Sequence, residues 1–136
     1  MVDVHTPEQR SRNMSRIRSK DTKPELLVRR LVHGLGFRFR LHRRDLPGTP
    51  DLVFPRRQKV IFVHGCYWHL HDCRFGNVTA QTNAAFWAAK RSQNAARDAR
   101  ALQQLAERGW RALVLWECEL SDPQQITKAV RRFLAP

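Results

Sequence analysis

Acidic residues are the scarcest resource in this chain. Twelve Asp and Glu face 25 Lys and Arg, leaving a net charge of +13 at pH 7 and an isoelectric point near 11.3. That imbalance argues against a cationic partner and for a polyanion. Long apolar runs are missing too. VIFV at 60–63 and ALVLW at 112–116 fall far short of the ~20 residues that a bilayer span requires, so no membrane span is expected. Cysteine is both rare and odd in number. Three thiols cannot all pair within one chain, so a reducing compartment and a metal suit Cys66, Cys73 and Cys118 better than a disulfide framework. The opening MVDVHTPEQR has neither the apolar run of a secretory signal nor the length of a transit peptide, and the expectation is a cytoplasmic protein. Internal repeats, low-complexity tracts and Gly/Ser-rich linkers are absent as well. With 136 residues, one domain spanning 1–136 with one core is expected.

The charge that is present is unevenly spread. Residues 1–44 hold 12 basic and 4 acidic side chains, a net of +8, and the remaining residues hold 13 and 8. The basic stretch lacks the continuous Leu and Phe face of an interfacial helix, so nucleic acid fits it better than a membrane. A merely solvated surface is the plainer alternative. Residues 1–20, including RSRNMSRIRSK, carry only scattered apolar side chains such as Met14 and Ile17, and read as a basic DNA-contacting arm.

Regular patterning begins at Thr22. T-K-P-E is a capping box with Pro in the first turn, and Leu27, Leu31 and Leu35 follow at helical spacing before Gly36 stops the helix. FRFRLH alternates Phe37, Phe39 and Leu41 with Arg38, Arg40 and His42, the period of a half-buried strand. After LPGTP, LVF at 52–54 and KVIFV at 59–63 make a hairpin turning near Arg56. Residues 83–108 read as one long helix ended by Gly109. ALVLW is a buried strand, and SDPQQITKAVRRFLA a closing helix with a Ser-x-x-Gln box and Ile126, Val130, Phe133 and Leu134 on one face. The order α-β-β-β-α-β-α implies an α/β fold, a mixed sheet with helices against it.

Chemistry concentrates at residues 62–73, FVHGCYWHLHDC. Cys66, His71 and Cys73 are three ligands suited to a tetrahedral ion. The fourth comes from topology: the cluster follows one strand, Cys118 follows another, and the long helix crosses between them. A β-α-β unit runs its strands parallel, so their carboxyl ends meet. Three Cys and one His make a closed structural Zn²⁺ site; buried free thiols beside a surface His are the alternative. His64 and His69 remain. With a turn near Arg56, strand partners have numbers summing to about 113, which puts Asp51 across from 62–64. A carboxylate, a main-chain carbonyl and neutral imidazoles suit Mg²⁺ and proton transfer near pH 7. Taken singly, Asp51 also reads as a turn residue and each His as a surface imidazole.

LPGTPDLVF, VIFVHGCYWHLHDC, FWAAKRSQNAARD and VLWEC together resemble the very-short-patch-repair (Vsr) mismatch endonucleases of bacteria. The likeness runs from the N-terminal arm to Cys118. It implies a restriction-endonuclease-like fold and an enzyme that nicks DNA on the 5′ side of the thymine in a T:G mismatch left by deamination of 5-methylcytosine. By the same resemblance, Asp51 and the main-chain carbonyl of Val63 would hold Mg²⁺. His69 would be the general acid/base, with His64 its partner, and Glu25 and Asp98 would orient waters and imidazoles. Cys66, His71, Cys73 and Cys118 match the zinc ligands. Tyr67, Trp68 and Met14 match the residues that wedge into the duplex from its two grooves. Lys90, Asn94 and Arg97 recur at helical spacing and would present a stripe toward DNA.

The resemblance further implies double-stranded DNA with a T:G mismatch as substrate, mismatch-repair proteins and a cytosine-5 methyltransferase in the same pathway, and a monomer. Two departures stand out. Val63-His64 occupies the place where the wider nuclease superfamily has an acid and a Lys, and Tyr67 adds a hydroxyl to a stacking ring. The rival readings are a zinc-stapled DNA-binding module without catalysis and an RNA-binding accessory protein.

Overall fold

The computed structural model describes residues 22–135; Met14 and the basic arm at 1–20 lie outside the described residues. Helix α1 (Lys23–Gly34) starts where the Thr22 hydroxyl accepts from the Glu25 amide at 3.4 Å, with Pro24 in the first turn. Only half of the expected capping box forms a cap, because the Glu25 side chain turns inward and is 2% exposed. The buried stripe of α1 is accordingly Glu25, Val28 and Val32. Leu27 is 41% exposed, and Leu31 and Leu35 only flank the core. Gly36, at φ 91°, ends the helix where a side chain would be strained.

The FRFRLH alternation yields a ladder of just two residues, β1 (Arg40–Leu41), on the sheet edge. Phe37 and Phe39 pack toward the core, but Leu41 is exposed and His42 leaves the extended region at φ 48°. β2 (Leu52–Phe54) and β3 (Lys59–His64) form the hairpin around a short 3₁₀ turn at Pro55–Arg57. Leu52 pairs with Ile61, Val53 with Val60 and Phe54 with Lys59, the expected register. Helix α2 (Ala84–Glu107) then crosses to β4 (Arg111–Trp116), which runs parallel to β3 with His64 beside Trp116. The closing helix α3 (Pro123–Leu134) is capped by Asp122, whose carboxylate accepts from the Gln125 amide at 3.3 Å. Ser121 belongs instead to the preceding 3₁₀ turn, where its hydroxyl donates to the Cys118 carbonyl.

The four strands lie in the order β1-β2-β3-β4, a mixed sheet with helices on both faces. One face packs Leu52, Ile61, Val63 and Leu115 against Val28 and Val32 of α1 and Ile126, Val130 and Leu134 of α3. The other packs Val53, Val60 and Phe62 against Leu105 of α2. Strand alternation therefore sends His64, in phase with Val60 and Phe62, toward the α2 side. Gly48, at φ 77°, lets the loop before β2 touch that layer: a Cβ there would lie 2.7 Å from the Ala101 Cβ. No helix among the described residues is long and apolar enough to cross a membrane.

Candidate active site

β2 begins just after Asp51, and β3 ends at His64 beside the end of β4. At this end of the sheet an open cleft of about 1320 Å³ is lined by Glu25, His42, Asp51, Val63, His64, Tyr67, Trp68, His69, Lys90, Asn94 and Asp98, among others. Asp51 is 8% exposed. The Val63 amide donates to its Oδ2 at 2.7 Å, so the hairpin itself fixes the carboxylate. Burial, moderated by that amide and reinforced by the neighbouring Glu25 carboxyl, pushes the Asp51 pKa up to about 8. A buried pair of carboxyl groups presents oxygen donors of the kind that fit a hard divalent cation.

Glu25 reaches this patch from α1. Arg29 Nη2 donates to Glu25 Oε2 at 2.9 Å and lies 2.9 Å from His42 Nε2. His42 Nε2 is 3.2 Å from Glu25 Oε2, and its Nδ1 is 3.8 Å from Asp51 Oδ1.

On the α2 side, His69 Nδ1 lies 2.5 Å from Asp98 Oδ2. A carboxylate only accepts, so Nδ1 carries the proton, and in the neutral ring it is Nε2 that holds the lone pair. The His64 ring stacks on His69, centroids 3.9 Å apart and planes within 5°, and its Nε2 is 3.9 Å from Asp98 Oδ1. Burial, with the neighbouring His69 adding to it, draws the His64 pKa down to about 4. Asp98 thus faces the two imidazoles, not the flanking arginines of its own helix.

Directly after His64 the chain enters the loop at 65–83, with Cys66 two residues on. The ligand atoms of Cys66, His71, Cys73 and Cys118 all lie within 4.8 Å of one another, a spacing that fits one tetrahedral ion. The Cys118 amide donates to Cys66 Sγ at 3.3 Å and the Gly76 amide to Cys73 Sγ at 3.4 Å, bonds that favour thiolates. Although partial burial opposes it, the Gly76 amide together with His71 and Cys66 brings Cys73 down to about 7. Burial pushes Cys66 up to about 12. The Trp116 ring stacks on His71 at 4.1 Å.

Sequence reasoning missed the residue that ties this loop down. Arg91, 8% exposed, donates from Nε to the Tyr67 carbonyl at 2.5 Å, from Nη1 to Val78 at 3.2 Å and from Nη2 to Gly76. Its guanidinium also lies 4.1 Å from the Tyr67 ring centroid, so one face of that ring is taken. The available signal was indirect: a loop without regular structure has carbonyls that need donors. His42, placed by its alternation with the arginines, gave no sign of meeting Asp51. Asn94 donates to the Trp68 carbonyl at 3.1 Å, Lys90 lines the cleft, and Arg97 is exposed outside the cleft lining. The proposed stripe is therefore divided among three environments. At the lip, Tyr67, Trp68, Trp87 and Phe86 run edge to face at 4.9, 5.7 and 4.9 Å, with Phe86 58% exposed.

Comparison with known proteins places this geometry in a lineage. A family model described as DNA mismatch endonuclease Vsr matches residues 2–75. The type II nicking enzyme V.XorIIP of Xanthomonas oryzae pv. oryzae is 50% identical over 136 residues, covering 100% of this chain and 99% of that one. The DNA mismatch endonuclease Vsr of Escherichia coli is 42% identical over 127 residues, 93% of this chain and 81% of the relative. The type II nicking enzyme V.NmeAIP of Neisseria meningitidis is 39% identical over 122 residues, 90% and 86%. With full-length likeness to nicking enzymes and an acid–imidazole cleft at the sheet end, the chain is a DNA endonuclease, a hydrolase, and belongs to the Vsr DNA mismatch endonuclease family.

Proposed function

We propose that this endonuclease nicks one strand of duplex DNA on the 5′ side of the thymine in a T:G mismatch, the lesion left when 5-methylcytosine is deaminated. The observation that carries the reading is the Asp98–His69 pair, with His64 stacked on it, in the same cleft as the buried Asp51. Asp98 holds the His69 tautomer, so Nε2 is the atom that takes a proton from the attacking water. His64, neutral at physiological pH, keeps a second charge away from the imidazolium that forms on His69. Asp51 and the Val63 carbonyl would hold Mg²⁺, with Glu25 behind them. The chemistry such an ion supplies is neutralisation of charge on the phosphoryl oxygens and a more acidic water.

The four-ligand cluster would hold Zn²⁺ as a staple with no part in hydrolysis, on a single restriction-endonuclease-like domain. Trp68 and the free face of Tyr67 would enter the stack at the mismatch, with Met14 of the arm opposite. A T:G wobble is held less firmly than a matched pair, so opening it costs less than the few kcal/mol of an ordinary step, and the difference becomes selectivity. Lys90 at the rim would meet the phosphate backbone.

The test uses a T:G duplex in a 5-methylcytosine context, its matched counterpart, and Mg²⁺ present or absent. Asp51→Ala and His69→Ala should each lower single-turnover nicking by roughly 10²–10⁴-fold while binding persists. Equal cutting of matched and mismatched duplexes, or full activity in either variant, would refute the reading.

A further inference from the structure

The Glu25–His42–Asp51 cluster contains a donor that the proposed Mg²⁺ site does not use. One ligand atom from each of the three residues lies within 4.8 Å of the others. His42 Nε2 is 3.2 Å from Glu25 Oε2 and Nδ1 is 3.8 Å from Asp51 Oδ1, so the ring stands between the carboxylates. Its backbone adopts φ 48°, a left-handed conformation that a non-glycine residue takes only at some cost, and that bend lies where the chain leaves β1 for the acid pair.

Arg29 supplies the second observation. Its Nη2 is 2.9 Å from Glu25 Oε2 and 2.9 Å from His42 Nε2. A guanidinium has only donors, so in the Nδ1–H tautomer the imidazole nitrogen it meets presents it a lone pair, while in the other tautomer that nitrogen donates to Glu25. In the first a positive group sits against a carboxylate oxygen and a nitrogen lone pair, as a cation would. Arg29 is carried on a flexible stem and its side chain keeps 14% of its surface in contact with solvent.

We propose that His42 completes, with Glu25 and Asp51, a mixed nitrogen-and-oxygen cation site that takes Mn²⁺ in preference to Mg²⁺. The inference rests on the reading of Asp51 as a cation ligand and deepens it. Carboxylates alone suit Mg²⁺ and Mn²⁺ alike, whereas an imidazole favours the transition ion. His42 is thus a determinant of which metal serves the cleft.

The experiment uses the full chain, loaded with zinc and free of DNA. Mn²⁺ is titrated against it with the free-ion paramagnetic resonance signal as readout, Mg²⁺ is used as competitor, and the bound Mn²⁺ is probed by electron spin-echo modulation for a coordinated ¹⁴N. Wild type should bind Mn²⁺ with ¹⁴N modulation. His42→Gln should lose that modulation and weaken Mn²⁺ at least about tenfold, with a much smaller change for Mg²⁺. Arg29→Gln should keep the modulation and bind Mn²⁺ more tightly, an outcome a damaged site would not give, and His42→Asn repeats the nitrogen test if His42→Gln fails to fold.

His64 and His69 also line the cleft, so ¹⁴N modulation that survives in His42→Gln overturns the proposal. So does Mn²⁺ bound in an Asp51-dependent way without nitrogen, a result that leaves the reading of Asp51 standing. If Asp51→Asn leaves Mn²⁺ binding unchanged, that reading falls and this one with it.

Discussion

His64 and Asp51 are pushed in opposite senses by burial, and their effects on stability occupy different pH windows. His64 falls from 6.5 to about 4, so its contribution is present above 6.5 and is lost as pH drops through 4. Asp51 rises from 3.8 to about 8, so its contribution is full below 3.8 and is lost as pH climbs through 8. Between 4 and 6.5 the two slopes oppose each other; of the two, only Asp51 acts from 6.5 to 8. The cysteine thiolates, deprotonated in the folded state and protonated in the unfolded one, add a rise with pH that is common to wild type and Asp51→Asn. Relative to Asp51→Asn, zinc-loaded wild type without Mg²⁺ should therefore lose about 2 kcal/mol of unfolding free energy across that upper interval. Urea titrations at several pH values should show that difference between the two proteins, and parallel pH profiles would refute it.

Asp98→Asn tests the tautomer argument, because an amide can donate to Nδ1 and turn the proton to Nε2. Nicking should fall roughly 10²–10⁴-fold with little change in DNA affinity, and a variant that cuts at the wild-type rate would show that Asp98 does not set the ring. The residue types at this patch were legible in sequence because strand pairing fixes neighbours arithmetically: Asp51 and Val63 meet as the hairpin register requires. His42 and Arg29 were not, since a side chain turned by one left-handed residue leaves no periodic trace.

At the scale of elements, the connection between α2 and the loop at 65–83 depends on few atoms. Arg91 satisfies three loop carbonyls at once. Arg91→Ala removes a buried charge along with its bonds, and should cost on the order of 3 kcal/mol with the loss expressed locally. Limited proteolysis should cut within 65–83 much faster in the variant, and unchanged protection would refute the assignment. Gly48→Ala places a Cβ 2.7 Å from the Ala101 Cβ at φ 77°, a strained conformation in a tight contact, and should lower stability by about 1–3 kcal/mol.

The helices and the β2–β3 hairpin could be read directly from periodicity and caps. The edge strand shrank to two residues, because Phe37 and Phe39 are drawn to the core while Leu41 has no layer to enter. In α1 the leucine spacing pointed to the wrong stripe. Glu25 lies on the buried face with Val28 and Val32, held there by Arg29 and His42. A helix that buries a carboxylate for its site misleads any reading that treats polarity as exposure.

For the molecule as a whole, the net charge of +13 makes association with DNA a matter of counterion release. Affinity for any duplex should fall by about 0.9 log units per log unit of salt for each phosphate neutralised. On the proposed reading, discrimination between mismatched and matched DNA should vary far less with salt, because unstacking is not a counterion effect. Anisotropy titrations over a range of KCl on both duplexes would show parallel lines; converging lines would mean that selectivity is itself electrostatic. The parallel β3–β4 pair explains why two separate clusters share one end of the sheet. Their shared location was legible from the order of elements alone.

The cysteine loop is fastened from outside itself, by the Arg91 guanidinium of α2 and by Cys118 just past β4. An engineer transplanting residues 65–83 onto a foreign scaffold would carry two of the three thiols, His71 and both rings, yet leave behind the clasp and the fourth ligand. The smallest portable unit of this protein is therefore a loop together with one turn of a neighbouring helix and the end of a neighbouring strand.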